Sequence, residues 1–281
     1  MSRRSGGRAP RQGRERRPLP TRRVDGGGDG TVQWIYGLHS VVTVLARAPD
    51  RLRRVLVDGQ RRDRRLEAVR QAAAEAGVAL ETVAASELDR LAEGAVHQGV
   101  LAEAEAPAPM DEHALLMRLE ACAHPPLVLV LDGVQDPRNL GACLRSADAV
   151  GVDAVVIPMR RAASLTAAAI KTASGAAASV PVAQVVNLAR VLRALRDLGL
   201  RIVGAAGEAT QPVWAADLTG PLALVLGGEG EGLRHLTREH CDALVALPMS
   251  GVVASLNVSV ATGVCLYEAL RQRQGPPGEA G

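Results

Sequence analysis

The chain has 281 residues, 47% of them hydrophobic, and a formal net charge of +3. That length and apolar share support real cores in two modest domains, built from Ala, Val and Leu because there are only two Trp, two Tyr and no Phe. No run of about 18 apolar residues is present to span a bilayer, and no apolar stretch follows the early arginines as in a secretory leader, so the expectation is a cytoplasmic protein without membrane contact.

In chain order, the first segment is basic. Residues 1–30 hold nine arginines against Glu15, Asp25 and Asp29, whereas the remainder carries 24 basic and 27 acidic residues. Rich in Gly and Pro and poor in apolar residues, 1–32 reads as a disordered tail suited to sequence-independent contact with a polyanion. Arginine as such means less, because the whole chain uses one lysine, Lys171, against 32 arginines.

Order begins near Gln33–Gly37. A helix is expected at 39–47, a strand at 54–58 closed by Asp58-Gly59, and a helix at 64–76 with Leu66, Val69, Ala73 and Ala76 on one face and Gly77 as its stop. A strand at 78–83, a helix at 86–92 and a strand at 99–105 complete a small α/β unit over 33–105. The APAP stretch begins a linker, 106–110. From 111 to 273 strands and helices alternate. Strands are predicted at 127–131, 153–157, 180–186, 201–206, 222–227 and 243–247, and helices at 139–150, 164–174, 187–199, 232–240 and 257–272. Continuous apolar runs such as LVLVL fit a mainly parallel sheet covered on both faces, so the fold class is α/β. Residues 274–281 read as a second disordered tail.

Cys122, Cys143, Cys241 and Cys265 form no C-x-x-C pair, and the six histidines read as isolated. The thiols are expected to be reduced, and no metal ligand is nominated.

Chemistry is expected where strands run into small-residue loops, since backbone N–H groups at strand-to-helix turns cradle polar ligands and glycine permits close approach. The cluster Gly227–Gly232 invites a dinucleotide reading, but the G-x-G-x-x-G template from Gly228 meets Leu233, and Pro248 stands where an acid is needed. A second loop, Pro248-Met249-Ser250-Gly251 then Ser255-Leu256-Asn257-Val258-Ser259, places Asn257 to cap the last helix. Upstream, strand 127–131 runs into Asp132 through Ala147. There Pro137 ends the extended segment, Asn139 is positioned to cap the next helix, and Arg145 falls in its second turn.

These three segments, in this order, resemble motifs 1, 2 and 3 of the SpoU-type RNA ribose methyltransferases, and 34–105, with Trp34-Ile35-Tyr36-Gly37 and His97-Gln98-Gly99-Val100, resembles the small substrate-binding domain of that family. The pattern is most similar to the bacterial members that methylate a guanosine ribose in 23S rRNA. The resemblance implies an L30e-like small domain, a C-terminal trefoil knot, S-adenosylmethionine as cofactor without a metal, and a homodimer. It places cofactor contacts on the backbone around Gly227, Leu247 and Leu256, with Ser255 and Asn257 shaping the site. Arg145, Asn139 and Glu229 become the catalytic candidates. A guanidinium, with an ordinary pKa above about 12, is a poor base. Arg145 is therefore expected to grip phosphate or ribose and stabilise developing alkoxide charge, with Glu229 as the alternative base or as a holder of Arg145 or Asn139. A SpoU-type enzyme acting on tRNA or another rRNA site, and a non-catalytic RNA-binding or assembly factor, are the other readings.

Overall fold

The structure, a computed structural model, describes residues 32–105 and 108–275. The basic tail to residue 31, Ala106 and Pro107 of the expected linker, and 276–281 lie outside the described residues.

The first unit contains β1 (Val32–Tyr36), α1 (Leu38–Arg47), β2 (Leu52–Asp58), α2 (Arg64–Glu75), β3 (Leu80–Val83), α3 (Ala85–Ala92) and β4 (Val100–Glu105). Its sheet runs β1-β4-β2-β3, with β4 antiparallel to both neighbours and β2 parallel to β3. Side chains alternate across it. Val55, Val57, Val100 and Ala102 pack with Val41 and Val44 of α1 and Leu66 and Val69 of α2, while Leu56 and Leu101 meet Leu88 and Ala92 of α3.

The second unit contains α4 (Glu112–Glu120), β5 (Leu127–Asp132), α5 (Pro137–Val150), β6 (Ala154–Pro158), α6 (Ala167–Ala173), α7 (Ala176–Ser179), β7 (Val182–Val185), α8 (Leu188–Asp197), β8 (Arg201–Ala205), β9 (Leu222–Gly227), α9 (His235–Glu239), β10 (Ala243–Val245) and α10 (Val258–Gln274). The six strands form one sheet, β10-β8-β9-β5-β6-β7, in which every pairing is parallel. All of β5 is buried. Leu127, Leu129 and Leu131 pack with Leu140 and Leu144 of α5 and Leu266 of α10, and Val128 and Val130 pack with Leu115 of α4 and Leu192 and Leu195 of α8. Helices on both faces explain why these strands are apolar throughout instead of alternating.

The structure departs from expectation in four elements. Helix α4 was not anticipated. Predicted helix 164–174 stops at Ala173, and the short α7 follows because Ser174 and Gly175 both turn through positive φ, 50° and 97°. Helix α9 is only five residues long, since the glycine loop before it folds on itself through a Gly228–Gly232 bridge. Met110, expected in the linker, instead joins the parallel sheet edge, where its N–H donates to Val182 O (2.8 Å) and its carbonyl accepts from Gln184 N (2.9 Å).

The two units meet at the α6–α7 corner. Ser40 Oγ donates to Ser174 O (2.9 Å), Arg51 donates to Ala178 O and to Glu105 O (2.8 Å), and Ala178 is part of the small unit's core. Strand order also locates the crevice. β5 and β9 are neighbours, yet the chain leaves β5 toward β6 on one side and β9 toward β10 on the other, so their C-terminal ends open at a topological switch point.

Candidate active site

Asp132, at the end of β5, is 1% exposed. Four residues on, Asp136 caps α5 by accepting from Arg138 N (2.8 Å), and Pro137 occupies the first turn, where its missing N–H costs nothing. The expected cap at Asn139 is therefore corrected. The helix starts two residues earlier, Asn139 lies inside its first turn with its side-chain amide not used for capping, and Arg145 falls in the third turn instead of the second.

Strand β9 then delivers the glycine loop. Gly228 N donates to Asp132 O (2.9 Å), and Gly232 N donates to Gly228 O (3.2 Å). A Cβ on Gly227 would stand 2.0 Å from Gly232 C, and one on Gly228 would stand 2.2 Å from Gly133 O. Glycine is needed at both because backbone meets backbone, within the loop and between the loops after β5 and β9. The exit of the loop is locked by a buried pair: Asp132 accepts from Arg234 N (2.9 Å) and Arg234 Nε (2.5 Å).

The loop before α10 closes the arrangement. Asn257 caps α10 as expected, its Oδ1 accepting from Ser259 N (2.8 Å) and Ser259 Oγ (2.6 Å). Its Nδ2 donates to Asn139 Oδ1 (3.1 Å), and Asn139 Nδ2 donates to Glu229 Oε1. One amide, Asn139, thus ties together the loops that follow β5, β9 and β10.

Beside this chain of bonds lies a cleft of about 500 Å³. Gly227, Glu229, Leu247, Ser255, Leu256 and Asn257 all line it, so six of the eight nominated residues share one cavity. Asn139 reaches it through Glu229 and Asn257. Arg145 is not among the lining residues; it stands exposed on α5 with no hydrogen-bond or ion-pair partner among the described residues. Beneath the site, Cys143 Sγ lies 3.4 Å from Thr262 Oγ1, and burial pushes its thiol up to about 11, which removes it as a nucleophile.

Sequence reasoning missed a fourth wall. Ala206, Gly207 and Glu208, after β8, also line the cleft, and Glu208 pairs there with Arg238. Met249 is another lining residue not nominated. Nothing in the Ala206–Glu208 run signals this role, because its position depends on β8 sitting next to β9.

Family comparison agrees with this geometry. The model of the SpoU rRNA Methylase family matches residues 126–267, which span all three loops, and that of the RNA 2′-O ribose methyltransferase substrate-binding domain matches residues 34–110. The chain belongs to the SpoU rRNA methylase family. This SpoU methylase is 53% identical over 240 residues to the 23S rRNA (guanosine-2′-O-)-methyltransferase RlmB of Photobacterium profundum, covering 85% of this chain and 98% of that one. It is 51% identical to RlmB of Escherichia coli K12, over 86% of this chain and 99% of that one. Among solved structures, the SpoU methyltransferase AviRb from Streptomyces viridochromogenes in complex with AdoMet matches with a TM-score of 0.68 at 25% identity, covering 87% of this chain and 92% of AviRb.

Proposed function

We propose that this SpoU methylase transfers a methyl group from S-adenosylmethionine to the ribose 2′-oxygen of a guanosine in 23S rRNA. The observation that carries the reading is the Glu229–Asn139–Asn257 chain, which joins the three family loops at one cleft.

The residues present fit the cofactor. The cleft is of ligand size, Leu226, Leu247 and Leu256 give it apolar walls, and the N–H groups of Leu247, Met249 and Leu256 meet no protein acceptor among the described residues. Backbone donors beside apolar walls suit an uncharged adenine ring. Gly227, Leu247 and Leu256 would hold the adenosyl part, and Ser255 and Asn257 would shape its pocket. When bound, the cofactor supplies an electrophilic methyl group on a positively charged sulfur.

The chain's own residues handle the acceptor. The ribose hydroxyl must lose its proton as its oxygen gains carbon. Glu229 would accept that proton, a reading supported by its Oε1 being held by Asn139 while its Oε2 has no partner among the described residues. Arg145, without a carboxylate partner among the described residues, would grip ribose or phosphate and stabilise developing negative charge.

The finer architecture follows the family. The domain division is taken as a tail to 32, the small RNA-binding domain at 33–105, a linker at 106–110, the methyltransferase domain at 111–273 and a tail at 274–281. An L30e-like small domain is supported by its sheet flanked by helices, and a trefoil knot by the path of 246–257. That segment passes beside Gln211–Val213, with Ala246 N donating to Gln211 O (2.8 Å), before α10 packs on α5. A homodimer is supported by α10, whose Val260, Val264 and Tyr267 form an exposed apolar stripe at helical spacing, and by exposed Val252 and Val253 in the loop before it. Action on 23S rRNA, as the names of the RlmB relatives state for those proteins, supports a cytoplasmic location; no helix among the described residues is long and apolar enough to cross a membrane.

The test is incubation of the full chain with labelled S-adenosylmethionine and either unmodified 23S rRNA or tRNA, followed by mapping of 2′-O-methyl positions. Label at one guanosine of 23S rRNA is expected. Label in tRNA alone, or in neither RNA, overturns the assignment.

A further inference from the structure

We propose that Cys122, His124 and Asp153 form a zinc site that staples the turn between α4 and β5 to the start of β6. The three residues come from two turns at the N-terminal edge of the parallel sheet, the edge opposite the methyl-transfer cleft. β5 alone, six residues long, separates the two edges by about 20 Å.

Geometry and chemistry agree. One ligand atom from each residue lies within 4.8 Å of the other two, the only such group among the described residues. Cys122 Sγ is 3.8 Å and His124 Nε2 is 3.4 Å from Asp153 Oδ1. Ligands around a tetrahedral zinc, with bonds of about 2.0–2.3 Å, stand about 3.3–3.8 Å apart. Thiolate, imidazole and carboxylate together form a donor set that selects zinc over the harder divalent ions, and three protein ligands leave the fourth position to water.

The surroundings orient each donor. Asp153 Oδ2 accepts from Leu127 N (2.8 Å) and Asp153 N donates to Leu127 O (2.8 Å), which turns Oδ1 toward the other two residues. His124 Nδ1 lies 3.3 Å from Pro125 O; a proton there donates to the carbonyl and leaves the Nε2 lone pair facing a carboxylate oxygen. A proton on Nε2 would bond to Asp153 with no metal, whereas in the other tautomer the two facing acceptors are satisfied by a cation. The nearby arginines do not supply it, since Arg118 Nε donates to Asp153 O (3.0 Å) and Arg273 donates to the carbonyls of Pro125 (3.0 Å) and Pro126 (3.2 Å). The sequence concealed the site because Asp153 stands 31 residues from Cys122 and joins it only through the β5–β6 pairing.

Cobalt(II), titrated into the reduced, tag-free full chain, tests the proposal. A thiolate-to-cobalt charge-transfer band with tetrahedral ligand-field bands should saturate at one equivalent and be bleached by zinc. Cys122→Ser should lose the charge-transfer band and His124→Ala should weaken binding, while both variants keep the native circular dichroism and bind S-adenosylmethionine. Zinc should also protect Cys122 from iodoacetamide, read by peptide mass spectrometry. No charge-transfer band, or a band that persists in Cys122→Ser, overturns the site. A drop in melting temperature in His124→Ala without any cobalt band would also overturn it, by reducing the cluster to a His124–Asp153 ion pair.

Discussion

Asn257 donates its side-chain amide to Asn139 Oδ1 at 3.1 Å across 118 residues of sequence, and Asn139 passes the connection on to Glu229. The cap of the last helix and the proposed base are thereby held by the same amide. Removing that amide leaves one donor and one acceptor without partners; both bonds are solvent-exposed, so the loss is about 0.5–1.5 kcal/mol each, felt mainly in the positioning of Glu229. Asn139→Ala is expected to lower kcat/KM about 10–100-fold while the fold survives. Asn139→Asp should lose more, because it sets a second carboxylate against Glu229. Transfer kinetics with rRNA, run beside cofactor titration, check both; an Asp variant more active than the Ala variant would sink the role given to Glu229.

The contribution proposed for Arg145 is expected only when RNA is present. Arg145→Ala should abolish methyl transfer and leave cofactor affinity, measured by calorimetry, within about twofold of the parent, since the residue does not line the cleft. Near-normal turnover would remove Arg145 from the mechanism.

The buried Asp132 holds Arg234, and through it the end of the glycine loop. Breaking a buried pair by deleting one partner costs about 3–5 kcal/mol, and the partly exposed guanidinium of Arg234 puts Asp132→Ala at the lower end. A fall in melting temperature of about 6–12 °C is expected for about 3 kcal/mol, with weakened cofactor binding. A melting temperature within 2 °C of the parent, judged against about 2–4 °C per kcal/mol, would contradict the structural weight given to this pair.

Two thiols predict an alkaline instability. Burial pushes Cys143 up to about 11 and Cys265 up to about 12. A folded-state pKa above the unfolded value of about 8.5 contributes stability that is complete below that value and is lost as pH climbs toward the folded one, by about 1.4 kcal/mol per group per unit. Thermal melts from pH 8 to 10.5 should therefore show a declining midpoint. The double variant Cys143→Ala, Cys265→Ala should show a shallower decline, and an unchanged slope would deny both thiols their part. Below pH 9 neither thiol should react with iodoacetamide until the protein unfolds.

Much of the fold was legible because burial on both faces leaves an unbroken apolar run. LVLVL at 127–131 and LALVLG at 222–227 therefore announce themselves as parallel strands. Asn257 was legible as a cap because capping is a local matter. Asn139 was misplaced for the opposite reason: Asp136-Pro137 is itself a helix start, and reading Pro137 as the end of a strand moved the helix two residues downstream. Helix α4 escaped because Leu115, Leu116 and Met117 run together and blur its periodicity.

The site was legible only where one loop carries its own signal. Gly227–Gly232 and Ser255–Asn257 have that signal. The Ala206–Glu208 wall and the Asp132–Arg234 lock do not, because each depends on which strand neighbours which. Strand order is a property of the folded sheet, and no window of sequence contains it.

The junction between the two units has a consequence for how the protein tolerates change. Ser40 and Arg51 grasp the main chain at Ser174 and Ala178, and the remaining polar contact among the described residues, Arg47 with Asp148, pairs an exposed guanidinium with a half-buried carboxylate. A joint that grips the main chain needs the far side to come close, and the run of alanines at 176–178 allows it. Ala176, Ala177 and Ala178 are buried there and a Cβ on Gly175 would stand 3.0 Å from Ser40 Cβ, so the corner accepts only small residues, and a larger one would push the small unit off its seat.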